Sequence, residues 1–350
     1  MKVKIQDVQT VQPPYSRKTE DIVPLVEYWL ANQPSRYIRK AVKIFEGAQV
    51  DKRYSIMPPE TVFSDLSFEE RNKIYTQQAK KLASEAILKS LKSKSWEASS
   101  LDYIITVSCT GIMIPSLDAF LINEVGLKQS VVRLPVTEMG CVAGVSAMIY
   151  ASEFLKANPN KRAAIVAFEA PTATFLMGDQ SMTNIVSSAI FGDGCACVLM
   201  SSEEDAIGPE IIGHEMYHFY DQTHMMGFDL TNQGLKMVLD EAVPETISEH
   251  FPAILHPFLE QYGLQLKDLN HLIFHPGGKK IVQTVEQLFH DLGKDIESTK
   301  EVLKDYGNMS SATVLYVLKD ILSKQPKSGD YGLMLSFGPG FTAQRLLLKW

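Results

Sequence analysis

The chain has 350 residues, of which 45% are hydrophobic, so it can bury a large core, and its length suggests about two domains. It carries 34 basic and 41 acidic residues, and this net charge of −7 argues against a general nucleic-acid or anionic-membrane surface, although a local basic patch can still meet a phosphate. The segment that starts at Met1 lacks the apolar core of a secretory signal, and no stretch reaches the ~18 apolar residues of a membrane span. We therefore expect a soluble, cytoplasmic protein.

Helix and strand patterns alternate along the first part of the chain. In order, they predict a helix over residues 68–91, a strand over 103–107, a turn over 109–111, an apolar run over 131–136, a buried helix of small residues after Cys141, and strands over 163–168 and 195–200. The polar segment 201–205 then predicts a boundary near Ala206.

The second part repeats this order of elements. Its pattern predicts a helix over 234–259, a strand over 271–274, a helix over 310–322, and strands over 331–336 and 342–348. The repetition predicts two similar α/β halves, residues 1–205 and 206–350. The first half would carry the candidate nucleophile Cys141, and the second half the other candidate site residues, His275 and Asn308. The helices after Cys141 and after Asn308 are then counterparts that meet head to head at the centre.

The four cysteines have a spacing that fits neither a disulfide framework nor a zinc site, so we expect reduced thiols and no metal; they are Cys109, Cys141, Cys195 and Cys197. Cys141 stands where a helix begins. Unpaired N–H groups and a partial positive charge at such a position lower a thiol's pKa, so we expect Cys141 to be partly thiolate and nucleophilic. The alternative is a small apolar residue packed in the core.

Two further residues complete a candidate site. His275 ends an apolar strand and precedes Pro-Gly-Gly, which places its imidazole at the carboxyl end of the strand; the alternative is a hydrogen-bonded core histidine. Asn308 is placed to cap the next helix, or to supply a side-chain N–H. Together with Cys141, an imidazole and an amide can hold the enolate left when a malonyl thioester loses carbon dioxide. The three residues predict carbon–carbon bond formation without a metal or redox cofactor.

Five motifs occur in a fixed order: MGCVAG at 139–144, FGDG at 191–194, HPGG at 275–278, GNMSSA at 307–312 and FGPG at 337–340. In these motifs, and over nearly its whole length, the chain resembles the type III polyketide synthases, the chalcone-synthase-like family. The resemblance implies a thiolase-like duplicated αβαβα layered fold and a homodimer. Segment 57–60 and the segment over 68–71 resemble the microbial branch, which often makes alkylpyrones or alkylresorcinols from fatty acyl starters.

The resemblance also implies the reaction. Cys141 takes an acyl starter from its CoA ester, malonyl-CoA loses carbon dioxide, and the enolate attacks the Cys141 thioester in an iterated Claisen condensation that ends in cyclisation. His275 helps to ionise Cys141 and, with Asn308, binds the thioester carbonyl oxygen. CoA thioesters are the substrates, and no carrier protein or reducing cofactor is implied.

The family also indicates which residues contact substrate. Phe191 aligns with an aromatic gatekeeper whose apolar surface disfavours the malonyl carboxylate; alone it would be read as a core residue. Met237 falls on the second gatekeeper, usually phenylalanine, Phe228 on a usual glycine, and Cys109 on a usual threonine. Because these three residues differ from the usual ones of the family, the resemblance does not determine the size of the product.

The remaining implied contacts lie further out. Thr174 and Ser310 align with other cavity positions, while Ile114 replaces a methionine that reaches into the neighbouring subunit's cavity. Lys40 and Lys43, on a predicted helix, match a cluster that binds CoA phosphates; solvated surface lysines are the alternative. Gly47 stands where a further lysine is common.

Three other functions remain open. A type III ketoacyl synthase would perform one condensation on a carrier-bound malonyl group, although that family has His-Gln-Ala-Asn where this chain has the HPGG motif. A thiol hydrolase would use Cys141, His275 and Asn308 to release free acid. A silent protein would bind acyl-CoA without turnover.

Overall fold

Strands and helices alternate along the chain, in agreement with the predicted α/β class. The computed structural model describes residues 1–290 and 293–350. Within these ranges the strands are β1 (Lys4–Val11), β2 (Tyr15–Lys18), β3 (Lys52–Ser55), β4 (Tyr103–Val107), β5 (Val132–Val136), β6 (Arg162–Glu169), β7 (Gly194–Ser201), β8 (Glu210–His218), β9 (Met226–Thr231), β10 (Gly234–Leu239), β11 (His271–Phe274), β12 (Tyr331–Gly338) and β13 (Thr342–Lys349). The helices are α1 (Thr19–Trp29), α2 (Ser35–Glu46), α3 (Pro59–Val62), α4 (Phe68–Lys94), α5 (Leu117–Val125), α6 (Ala143–Ala157), α7 (Met182–Ile190), α8 (Val243–Glu260), α9 (Lys279–His290), α10 (Glu297–Tyr306) and α11 (Thr313–Ser323).

The central sheet is mixed and has the strand order β11-β12-β13-β8-β1-β7-β6-β4-β5. Strand β4 pairs in parallel with β5 and β6, and β11 pairs in parallel with β12, whereas the remaining pairs are antiparallel. The strands that follow Ala206 lie at one end of the sheet and the earlier ones at the other. Because β1 pairs with both β7 and β8, the sheet is continuous across the proposed boundary near Ala206, which stays a prediction.

The inner strands are buried on both faces, which explains their almost continuous apolar sequences. Alternate residues of β4 enter two hydrophobic clusters: Ile104 packs with α4 on one side, and Ile105 packs with α6 and α11 on the other. The alternation follows from the two-residue repeat of a strand. The sheet therefore lies between helical layers, and α6 is buried as the sequence predicts. No helix in the described part of the chain is long and apolar enough to cross a membrane.

The starts of α6 and α11 meet at the centre, as predicted from the sequence. A Cβ atom on Gly144, in the first turn of α6, would lie 2.3 Å from the backbone oxygen of Ser311, in the turn that precedes α11. Only glycine permits this approach. The two motif segments that contain Cys141 and Asn308 are thereby brought to one place.

We expect Gly144→Ala to lower the free energy of unfolding by about 1–3 kcal/mol, since the atom that blocks the new methyl group is a backbone carbonyl that cannot rotate away. Urea denaturation followed by circular dichroism measures this change. Gly178→Ala is the control, because the nearest atom to its added Cβ is a side-chain oxygen 3.9 Å away. Equal stability of the Gly144→Ala variant and the parent would contradict the packing described above.

The predicted helix over 234–259 is wrong in its first part. Residues Gly234–Leu239 form strand β10, which pairs with β9 in a separate hairpin, and helix α8 begins only at Val243. Gly234, with φ +128°, follows a two-residue turn, and Pro244 suits the first turn of the helix. The sequence patterns also missed several other elements of the structure, namely strands β1, β2, β3, β8 and β9 and helices α1, α3, α5, α7, α9 and α10. The hairpin matters because it forms one wall of the site described next.

Candidate active site

Cys141, His275 and Asn308, which come from remote parts of the sequence, line one cavity of about 760 Å³ that is partly open to solvent. Five of the other predicted contact residues line the same cavity: Cys109, Phe191, Phe228, Met237 and Ser310. Three elements contribute the central groups: the turn before α6, the end of β11 and the turn before α11.

The other predicted contacts lie elsewhere. Thr174 lines an adjoining pocket, because its short helical turn places it behind Phe191 and Met237. Ile114 projects from the surface and is 94% exposed, so within one chain it reaches no cavity. Lys40 and Lys43 lie on α2, as predicted, and are exposed.

Cys141 is held by a glycine turn. Gly140 has φ +53°, and a Cβ atom on it would lie 2.6 Å from Cδ of Pro339, in the FGPG motif. The turn Gly140–Val142 then leads into α6. The Cys141 Sγ atom lies 3.6 Å from Ser310 Oγ, which is its hydrogen-bond partner among the described residues.

The ionisation state of the thiol differs from the expectation. Burial raises the pKa of Cys141 to about 12, a shift that the hydrogen bond with Ser310 opposes. Burial also lowers the pKa of His275 to about 3. The prediction of a partial thiolate was therefore wrong for the resting cavity, because loss of solvation outweighs the helix start. At neutral pH the site holds a neutral thiol and a neutral imidazole.

His275 follows β11 directly, so its imidazole lies at the carboxyl end of the strand, as predicted. The residue is 2% exposed, and neither ring nitrogen has a hydrogen-bond partner among the described residues. A hydrogen-bonded core histidine is thereby excluded, as is a resting hydrogen bond to Cys141. Since unsatisfied buried polar groups are unfavourable, both nitrogens are available to a ligand in the cavity.

Asn308 is oriented by its own turn. Its Oδ1 accepts the Ser310 N–H at 2.8 Å, which forces the Nδ2 group to the opposite side, where it donates to the Gly277 carbonyl at 3.2 Å. The second hydrogen on Nδ2 remains for the cavity. The backbone of Asn308 bonds to Ile190 and Gly192, so the amide is fixed beside Phe191. The N-cap of the helical turn that follows is Met309 and not Asn308. A hydrogen bond to the Ser310 backbone and an amide N–H free for the cavity therefore coexist in one side chain.

A buried carboxylate that sequence reasoning missed organises the neighbouring turn. Glu169, at the end of β6, accepts hydrogen bonds from Thr110 Oγ1 at 2.8 Å, from Cys109 N at 3.1 Å and from Ser311 Oγ. Burial raises its pKa. The one signal in the sequence was a charged residue that closes an apolar strand. Glu169 holds Cys109 so that its Sγ lies 3.5 Å from Ser310 Oγ, and this hydroxyl thus contacts two thiols.

Phe191 and Met237 separate the cavity from a second pocket of about 710 Å³, since both residues line both spaces. Met237 faces Phe228 across the β9–β10 hairpin. The bulky side chain at Phe228 and the flexible one at Met237 therefore occupy the same cross-strand pair. Of this pair, Met237 lines both spaces, whereas Phe228 lines the catalytic cavity.

Asp193, in the same motif as Phe191, fixes this wall. It is fully buried and accepts hydrogen bonds from Ile56 N at 2.8 Å and from Thr172 N at 3.0 Å, as well as from the Thr172 hydroxyl. Burial raises its pKa to about 7. The carboxyl group joins three segments around Phe191, which explains the acidic residue in the FGDG motif.

A mixed sheet between helical layers, with a cysteine, a histidine and an asparagine around one cavity, defines a thiolase-like enzyme class. Residues 37–204 match the N-terminal domain, and residues 216–350 the C-terminal domain, of the family described as chalcone and stilbene synthases. The chain belongs to this family and is a type III polyketide synthase. These findings support the main prediction over the ketoacyl synthase alternative.

Individual relatives agree with this assignment. The chain is 30% identical to a 1,3,6,8-tetrahydroxynaphthalene synthase from Streptomyces peucetius, over 98% of this chain and 92% of the relative. It is 28% identical to a phloroglucinol synthase from Pseudomonas fluorescens, over 97% and 96% of the two chains. The crystal structure of the tetrahydroxynaphthalene synthase from Streptomyces coelicolor, a bacterial type III polyketide synthase, has a TM-score of 0.93, with 29% identity and 99% of each chain covered.

Proposed function

We propose that the cavity extends an acyl starter, held as a thioester on Cys141, by iterative decarboxylative condensation with malonyl-CoA and then cyclises the product. The observation that carries the proposal is the shared cavity of Cys141, an unpaired His275 and an oriented Asn308. CoA thioesters are the proposed reactants, and no step needs a metal or a redox cofactor.

Loading of the starter begins with a neutral Cys141 thiol and a neutral His275 imidazole. The Cys141 sulfur attacks the carbonyl carbon of the starter thioester while a free nitrogen of His275 takes the thiol proton. The bond from that carbon to the CoA sulfur breaks, and the leaving thiolate takes the proton from the imidazolium. The products are acyl-Cys141, free CoA and a neutral imidazole ready for the next step.

Extension uses the same groups as donors. Malonyl-CoA loses carbon dioxide, and the bonding electrons form an enolate whose oxygen accepts hydrogen bonds from the His275 N–H and the Asn308 Nδ2–H. The enolate carbon attacks the acyl carbon on Cys141, a carbon–carbon bond forms, and the carbon–sulfur bond breaks. The Cys141 thiolate then takes a proton from solvent, and the extended chain, now a CoA thioester, is loaded on Cys141 again for the next round. Phe191, an apolar neighbour, makes the charged malonyl carboxylate unfavourable and so favours its loss.

We propose two candidate classes of starter, one without a long alkyl chain and one with such a chain. The relatives named above are synthases of tetrahydroxynaphthalene and phloroglucinol, whose names specify no alkyl chain. The second pocket, behind Phe191 and Met237, is lined by apolar side chains such as Ile22, Val62 and Phe63, and so supports alkylpyrone or alkylresorcinol formation as the second candidate.

A homodimer is also proposed. Ile114 is 94% exposed and Ile112 and Val132 are 41% and 46% exposed, so apolar side chains of the segment after β4 and of the edge strand β5 face solvent. Exposed apolar patches of this kind mark association surfaces. Light scattering on the purified protein gives the mass, and a monomer at micromolar concentration would contradict the dimer.

Incubation with malonyl-CoA, alone and with aromatic, short and long acyl-CoA starters, tests the function by mass spectrometry of the products. We expect products that contain two or more malonyl-derived units and are cyclised. A single extension would indicate a ketoacyl synthase, and release of the free starter acid without use of malonyl-CoA would indicate a hydrolase. Binding without turnover would indicate a silent protein.

A further inference from the structure

Helix α2 presents a basic face in an otherwise acidic chain. Arg36, Lys40 and Lys43 are spaced four and three residues apart, so they lie on one side of the helix, which ends at Gly47. None of these three side chains forms an ion pair with a carboxylate of the described residues. The basic face is therefore not neutralised by these carboxylates. Gly47, which caps the end of α2, adds no side chain to this face.

A lysine from the second half of the sequence reaches this position. The Lys279 Nζ atom lies 3.9 Å from the point where a Cβ atom on Gly47 would stand. Lys279 is half-buried and begins α9 directly after the HPGG motif. Its near neighbours in sequence, Gly277 and Ile281, both line the catalytic cavity. The ammonium group therefore lies between the rim of the cavity and the end of α2.

The location of Lys279 does not favour the stability of its own helix. A cation is unfavourable at a helix N-terminus, and the first turn of α9 contains no acidic residue to offset it. No carboxylate in the described ranges forms an ion pair with Lys279. One structural role remains, in which the ammonium group neutralises the last carbonyl groups of α2. The experiment below separates this role from binding of an anion.

We infer that Lys279 completes, with Lys40 and Lys43, the surface that holds the phosphates of the CoA thioesters, and so replaces the side chain that Gly47 lacks. This inference rests on the proposed function, because it takes CoA thioesters as the substrates. It assigns a phosphate-binding residue to the second half of the chain, four residues after His275 in the sequence. Phosphate binding and the catalytic imidazole are then connected through one short segment.

The test compares Lys279→Met with Lys280→Met, which removes the same charge from the next, exposed residue. Two extender substrates are used: malonyl-CoA, and malonyl-N-acetylcysteamine, which has no phosphates. For Lys279→Met we expect KM for malonyl-CoA and the dissociation constant of free CoA, measured by calorimetry, to rise about fivefold with kcat unchanged. The KM for the phosphate-free thioester and the melting temperature should stay at the parent values, and Lys280→Met should change neither constant.

The possible outcomes separate the interpretations. Equal changes in KM for both thioesters, or a lowered melting temperature alone, would show that Lys279 only caps α2 and would overturn the inference. An equal effect of Lys280→Met would show a general charge effect and would also overturn it. If the parent binds CoA without condensing malonyl units, the proposed function fails, yet weaker CoA binding by Lys279→Met still supports the phosphate contact. No binding of CoA by the parent would overturn the contact itself.

Discussion

Cys141→Ala is expected to abolish polyketide formation, with a loss of at least about 10³-fold, because no other group in the proposed cycle carries the acyl chain. Decarboxylation of malonyl-CoA should continue at a measurable rate in this variant. His275 and Asn308, which hold the enolate oxygen in the proposed cycle, come from other segments of the chain than Cys141. Product mass spectrometry and the formation of acetyl-CoA from malonyl-CoA measure the two activities separately.

Cys109→Ala is the matched comparison, since its thiol lines the same cavity and contacts the same Ser310 hydroxyl. Burial and the nearby Glu169 carboxylate raise the pKa of Cys109 well above its usual value. This carboxylate lies 3.7 Å from the Cys109 Sγ, and a negative charge at that distance disfavours a thiolate there. We expect this variant to load a starter on Cys141, as seen by the mass of the intact acyl-enzyme. Asn308→Ala should instead lose decarboxylation. Undiminished polyketide yield from Cys141→Ala would overturn the assignment of the nucleophile.

The buried elements of the fold could be predicted from the sequence because their pattern is set by the core. Strands β4 and β11 have the bounds predicted for them, and α4 extends the predicted helix by three residues, from 91 to 94. The β9–β10 hairpin could not be predicted in this way. Phe228 and Met237 face a cavity and not the core. The hydrophobic residues of this hairpin therefore do not follow the alternation of buried and exposed residues by which a strand is predicted.

The sequence predicted that Cys141, His275 and Asn308 lie around one cavity, but it did not predict the pKa values of the cysteine and the histidine. Glycine and proline turns beside Cys141 and His275 indicate close backbone approach, and this signal is local in the sequence. Glu169 gives no such signal, because a lone acidic residue at a strand end is common at surfaces, and only the fold shows that it is fully buried. The charge of Cys141 depends in the same way on depth of burial, which sequence position does not supply.

A further consequence of burial concerns the dependence of starter loading on pH. Between pH 6 and 9 neither the Cys141 thiol, with a pKa of about 12, nor the His275 imidazole, with a pKa of about 3, titrates in the resting cavity. The imidazole is neutral and able to accept a proton throughout this range. The rate of acylation of the parent enzyme should therefore be nearly flat, apart from changes in the substrate.

His275→Gln is expected to alter both the magnitude and the slope of this profile. Glutamine keeps an N–H donor but cannot accept the thiol proton, so only the rare thiolate of Cys141 attacks, and loading at pH 7 should fall by about 10²–10⁴-fold. For an acid with a pKa of about 12, the ionised fraction rises about tenfold with each pH unit below that value. The variant's loading rate should rise accordingly, with a slope near one.

Single-turnover loading, quenched and followed by the mass of the intact acyl-enzyme, measures both profiles, and Cys141→Ala shows whether any acylation occurs elsewhere. Absorbance at about 240 nm reports thiolate in the substrate-free enzyme. A thiolate signal at pH 7 that Cys141→Ala lacks would show that the cysteine and histidine exist as an ion pair before substrate enters. A flat parent profile without that signal, beside a rising profile for His275→Gln, would instead locate the proton transfer within the loading step. The neutral pair stabilised by burial would then be the reactive state, with the imidazole acting as a base and not as a fixed counter-ion.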